Sequence, residues 1–226
     1  MRNHNIWFPE RITMQKSFCY HPSNIFLPKI PYLIYYPDDF NPSEEMLPLI
    51  VFLHGGGERG NNPYLITCHS LPMLCQKTLP ERCIVLSPQC ASEKDWYYYM
   101  PFLMEFIDSM ASNYGADKNR ISLTGISMGA FGAWELASLY PDRFCSLVPI
   151  CGGGMSWTAE NLVHIPIWAF HGALDDVVPV EASINMIKAI NQAGGHAKLT
   201  IYPETGHHAW VPAYSEPSLL NFMLQK

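Results

Sequence analysis

No stretch of this chain approaches the roughly 18 uninterrupted apolar residues that a membrane-crossing helix needs. The first residues hold no apolar run long enough for the core of a signal peptide either. The expectation is a cytoplasmic protein without a membrane partner. Positive charge is scarce: 14 Lys and Arg stand against 20 Asp and Glu, a net charge of −6. A nucleic-acid partner, whose phosphates demand a basic surface, is therefore not expected. The seven cysteines, Cys19, Cys68, Cys75, Cys83, Cys90, Cys145 and Cys151, contain no Cys-x-x-Cys pair, which excludes the common zinc and redox motifs. Cys68 and His69 with Cys75 fit none of the usual ligand spacings, so no metal is expected. Reduced, partly buried thiols are expected instead. Internal repeats, low-complexity tracts and linkers are lacking, and no signal sets an oligomeric state.

What remains is ordinary core-forming material, 48% hydrophobic and 15% charged over 226 residues, enough for one large domain spanning residues 1–226. Short apolar runs bounded by turn formers predict strands over 49–53, 84–87, 121–124, 147–151, 167–170 and 199–202. Their uniform apolarity predicts central strands of a mostly parallel sheet covered on both faces. Residues 32–36, and less clearly 12–18, add antiparallel strands. Helical periodicity predicts helices over 102–113, 128–139, 180–192 and 216–224. This alternation is that of a doubly wound α/β sheet.

The chemistry concentrates in three places. Gly125-Ile126-Ser127-Met128-Gly129 falls between a strand and a helix. A strand that turns at once into a helix strains the serine backbone and leaves no room for side chains at the flanking glycines. It also sets the serine at a helix N-terminus, where free N–H groups favour developing negative charge. Ser127 is thus the candidate nucleophile.

Attack on a carbonyl makes an oxyanion, which needs two preset N–H donors. Met128, next after the serine, supplies one. His54-Gly55-Gly56-Gly57-Glu58-Arg59-Gly60, directly after the strand at 49–53, supplies the other, from Gly56 or alternatively Gly57. A phosphate-binding loop is the competing reading, but the Gly-Lys-Ser/Thr ending is missing. Glu58 and Arg59 either line the pocket or pair on the surface.

A serine needs a base, and the base needs a carboxylate that fixes its tautomer. Asp175, with Asp176 as the alternative, lies just beyond a strand end. His207, with His208 as the alternative, follows the next strand. His171 precedes the acid and is read as structural; His196 sits on the wrong edge of the sheet. Trp157 and Trp210 are candidate pocket aromatics, although buried-core roles suit them as well.

With these residues in place, the chain resembles the α/β-hydrolase serine esterases of the phospholipase/carboxylesterase and polyhydroxybutyrate-depolymerase-like group, which includes acetyl-xylan and feruloyl esterases. The resemblance rests on residues 32–37 (Tyr-Leu-Ile-Tyr-Tyr-Pro), 49–60, 117–134 and 168–172, with Asp175 and Val178-Pro179, and on Tyr202-Pro203, Gly206-His207 and Ala209-Trp210. It implies the α/β-hydrolase fold, with Ser127, Asp175 and His207 as catalytic residues and Gly56 and Met128 as oxyanion amides. Gly57, Glu58, Trp157 and Trp210 are the substrate-binding candidates. It further implies hydrolysis of a small-molecule ester without cofactor or metal. A peptidase or thioesterase using the same three residues, and a non-catalytic binding protein, are the rivals. Large members of the fold carry a lid domain between the sixth and seventh strands; residues 152–166 are too few to form one.

Overall fold

The computed structural model describes residues 15–22, 24 and 26–225. Eight strands form one sheet: β1 (Gln15–Tyr20), β2 (Ile30–Tyr35), β3 (Leu47–Leu53), β4 (Ile84–Pro88), β5 (Ala116–Ile126), β6 (Ser146–Ile150), β7 (Trp168–Gly172) and β8 (Lys198–Tyr202). Their spatial order is β1-β2-β4-β3-β5-β6-β7-β8. The pairs β1/β2 and β2/β4 are antiparallel, and every other pair is parallel. The expected antiparallel start is present, although residues 12–14 of the anticipated first strand lie outside the described residues.

Strands β3, β4, β6 and β7 are buried along their whole length. That is why they read as continuous apolar runs rather than as alternating ones. Helices cover both faces. On one face lie α2 (Trp96–Asn113), α3 (Met128–Leu139) and α4 (Glu181–Gln192), around a core that includes Leu49, Val51, Trp96, Phe106, Leu123 and Trp134. On the other lie α1 (Ser70–Leu74), α5 (Trp210–Ala213) and α6 (Leu219–Leu224), with Ile50, Phe52, Ile126, Val148 and Phe170. Helix α6 is fastened by polar contacts as well, since the Ser122 and Ser146 hydroxyls both donate to the carbonyl of Met223.

Several boundaries differ from the sequence expectation. Helix α2 starts at Trp96, not at residue 102, and carries Pro101 inside it. The Asp95 side chain caps its start by accepting the Tyr98 N–H at 3.1 Å, and Pro101, the sixth helical residue, forgoes the bond that an N–H there would give to the Tyr97 carbonyl. The expected helix over 216–224 begins only at Leu219, because the Glu216 carboxylate accepts from the Ser218 hydroxyl at 2.9 Å and holds a turn there. Between β6 and β7 there is one short 3-10 helix, Ser156–Leu162.

Candidate active site

The C-terminal ends of β3, β5, β7 and β8 bring together most of the residues singled out by sequence. Ser127 is the single residue between β5 and α3, at φ 50° and ψ −119°. A side chain with positive φ is a strained arrangement, maintained only where its surroundings over-determine it. Here the surroundings do. A Cβ on Gly129 would come within 1.9 Å of the Leu53 carbonyl oxygen, and one on Gly125 within 2.3 Å of the Gly129 carbonyl oxygen. The bare glycines therefore allow β5, α3 and the end of β3 to meet at the serine. The Ser127 N–H donates to Ile150 O at 2.9 Å, tying the turn to β6.

His207, on the loop after β8, places Nε2 2.9 Å from Ser127 Oγ. Its Nδ1 lies 2.8 and 3.0 Å from the two Asp175 oxygens. An ionised carboxylate only accepts, so Nδ1 carries the proton and the Nε2 lone pair faces the serine hydroxyl. The Asp175 side chain is wholly buried. Burial works against its ionisation, but the Val178 N–H, the His207 ring and the Val177 N–H outweigh it and hold its carboxyl below the usual carboxylate range. Asp176 and His208, the alternatives, are exposed, as is His196. Cys151, buried and at φ 47°, puts its sulfur within 4.8 Å of ligand atoms of Asp175 and His207; burial pushes its thiol up.

Gly56 opens a 3-10 turn, Gly56–Glu58, and Met128 opens α3. Both N–H groups stand at helix starts, without an acceptor in their own helix. The loop is fixed from beneath. Arg59 Nε donates to Gly56 O at 2.8 Å, and the Gln89 amide donates to Glu58 O at 2.8 Å. His54, fully buried, accepts the Cys90 N–H at Nε2 (2.9 Å), which leaves Nδ1–H to donate to Gly55 O (2.6 Å). Burial lowers its pKa to about 4 and keeps it neutral.

An open cleft of about 360 Å³ runs over Ser127, lined by Gly55, Gly56, Gly57, Glu58, His69, Ile126, His207, His208 and Trp210. Three of the four substrate-binding candidates, Gly57, Glu58 and Trp210, are therefore at the cleft. Trp157 is not: it is 79% exposed on the 3-10 helix after β6 and is absent from the lining. Sequence reasoning missed His69. Its Nε2 lies 2.9 Å from Glu58 Oε1, and its ring packs 5.2 Å from Trp210, itself edge-on to His207 at 5.5 Å. Nothing local in Cys68-His69-Ser70 signals this, because the contact arises from the long-range approach of α1 to the loop after β3. Cys68 is exposed and Cys75 buried, so the two do not share that environment.

Comparison with known proteins gives a consistent likeness. The profile described as Phospholipase/Carboxylesterase matches residues 84–215. Poly(3-hydroxyalkanoate) depolymerase C of Paucimonas lemoignei is 39% identical over 51 residues, 23% of this chain and 12% of that protein. A thermostable esterase of known crystal structure superposes with a TM-score of 0.81 at 30% identity, covering 95% of this chain and 64% of that one. A feruloyl esterase module from Clostridium thermocellum, solved with sinapinate, shares the fold at 13% identity and a TM-score of 0.73, covering 96% of this chain and 88% of that one. The chain thus spans less than two thirds of the depolymerase and of the thermostable esterase.

Proposed function

Since the chain belongs to the phospholipase/carboxylesterase family, we propose that it is a serine esterase that cleaves small carboxylic esters through an acyl-enzyme intermediate. The observation that carries this reading is the unbroken hydrogen-bonded sequence from Ser127 Oγ through His207 to the buried Asp175 carboxylate. In this proposal Ser127 attacks the ester carbonyl while His207 Nε2 takes its proton. Asp175 holds the ring and stabilises the imidazolium that forms. The Gly56 and Met128 N–H groups receive the negative charge on the carbonyl oxygen. His207 then returns the proton to the leaving alcohol, and afterwards activates the water that releases the acid. Gly57, Glu58, His69 and Trp210 form the walls against which the substrate lies. Substrate and water apart, each step uses groups of this chain.

We further read residues 1–226 as one domain acting in a reducing, cytoplasmic setting. That reading is supported by the seven free thiols, a pattern kept where glutathione and thioredoxin maintain them.

A fluorophosphonate probe should label Ser127, and Ser127→Ala should remove both labelling and turnover of 4-nitrophenyl acetate. Folded wild-type protein that resists the probe sinks the proposal. Acyl-ester, acyl-thioester and aminoacyl-anilide substrates assayed side by side test the bond. Turnover of the anilide or the thioester alone would replace the esterase reading.

A further inference from the structure

Beyond the three residues just assigned, a fourth side chain touches the acid. His171, on β7, is fully buried, and its Nε2 lies 3.2 Å from Asp175 Oδ2 and 3.0 Å from the Val178 carbonyl oxygen. We propose that His171 is a positioning residue: its Nε2–H fixes the Val178 carbonyl, and with it the 175–178 turn whose N–H groups hold the Asp175 carboxylate in register with His207. The inference rests on the reading of Asp175 as the orienting acid.

Hydrogen-bonding capacity fixes the direction of the contact. A carbonyl oxygen only accepts, so Nε2 carries the proton and donates it to Val178 O, while Asp175 Oδ2 lies 3.2 Å from the same nitrogen beside that bond. The other ring nitrogen, Nδ1, is 2.7 Å from Ser183 Oγ on α4, and that hydroxyl also lies 2.8 Å from Gly152 O on the loop after β6. The ring is therefore pinned at both ends, from α4 and from the Val178 turn. A residue needed only for packing at a fully buried strand end would be cheaper if apolar, because every polar atom placed there must find a partner.

Asp175 has reason to need the contact. Its side chain is completely shielded from water, so the carboxylate depends on protein donors alone. The Val177 and Val178 N–H groups reach only Oδ1, at 3.0 and 2.9 Å. Oδ2, the oxygen nearer to His207 Nδ1 at 2.8 Å, has the His171 ring nitrogen 3.2 Å away. Without the bond from His171 to Val178 O, the turn that supplies both N–H groups to Oδ1 loses its tie to β7, and the carboxylate loses the frame that orients it. The close approach of the neighbouring loop leaves no slack: a Cβ on Gly172 would fall 2.2 Å from the carbonyl oxygens of Thr205 and Gly206.

The test compares His171→Leu, His171→Gln and Ser183→Ala with wild type, using 4-nitrophenyl acetate. The reading expects His171→Leu to lower kcat on the order of tenfold, the scale of one buried hydrogen bond, with KM nearly unchanged. The far-downfield proton resonance of the His207–Asp175 hydrogen bond should broaden or vanish with it. His171→Gln, whose amide N–H reaches the Nε2 position, should recover most of the rate and the resonance. Ser183→Ala removes only a hydroxyl and should give a smaller loss in kcat, which keeps the test open if the leucine variant does not fold. Wild-type kcat and resonance in His171→Leu, or in Ser183→Ala where the leucine variant is not folded, would overturn the proposal. So would a glutamine variant as impaired as the leucine one. Ser127→Ala and Asp175→Asn run alongside: full turnover in these would refute the underlying assignment, whatever His171 does.

Discussion

Asp175 and Asp176 stand side by side in sequence, yet the fold gives them opposite surroundings. One is buried against His207 and two backbone N–H groups; the other faces solvent. Asp175→Asn should therefore cost on the order of 10⁴ in kcat, the scale seen when an orienting acid loses its charge, whereas Asp176→Asn should stay near wild type in the same assay. His54 supplies a second residue-scale prediction. Its folded pKa of about 4 lies below that of an unfolded histidine, near 6.5. The unfolded chain thus binds the extra proton first as pH falls. Stability held above pH 6.5 is progressively lost down to pH 4, by about 3 kcal/mol at most. Urea unfolding across that window should show the loss, and His54→Gln should flatten it. At this scale placement was readable wherever chemistry is local to a motif: Ser127, His207 and Asp175 come within hydrogen-bonding reach, and the Gly56 and Met128 N–H groups stand at helix starts. His69 and the contact of His171 with Ser183 on α4 were not readable, because each depends on a partner brought in from another element.

The turn at Ser127 shows how an element is specified by what is missing from it. Gly129→Ala would drive a methyl into the backbone oxygen of Leu53. No flexible side chain can move aside, so the end of β3 or the start of α3 must shift. The expected outcome is a loss of several kcal/mol in thermal or chemical unfolding and of fluorophosphonate labelling. Where glycines and β-branched runs mark the elements, as for α3, α4 and the central strands, the sequence reading came within a few residues of the structure. It fell short at one helix start. The apolar period read for α2 starts at Phe102, but the Asp95 cap begins that helix at Trp96, ahead of Pro101. It also fell short at α1 and α5, which are too short to show a helical period.

Across the whole molecule, two cores on opposite faces of one sheet were foreseeable from uniformly apolar strands, because only a sheet covered on both sides hides them. The strand order was not, since it is set by which crossover packs against which neighbour. The distribution of thiols follows burial: Cys19 and Cys68 are exposed, Cys145 is intermediate, and the other four are buried. A thiol-reactive dye should titrate the two exposed cysteines rapidly in the native protein and all seven after denaturation. Prompt reaction of all seven in native buffer would contradict the packing.

The hydrogen bond between His207 and Ser127 joins residues 80 positions apart. As the chain leaves the ribosome, the serine turn is complete well before its base exists. Strands β7 and β8, whose following loops carry the proposed acid and base, come later in the chain. In the proposed mechanism, a nascent chain holds an idle serine until β7 and β8 add to the sheet, and a nick that releases β8 while the rest stays folded should silence it again.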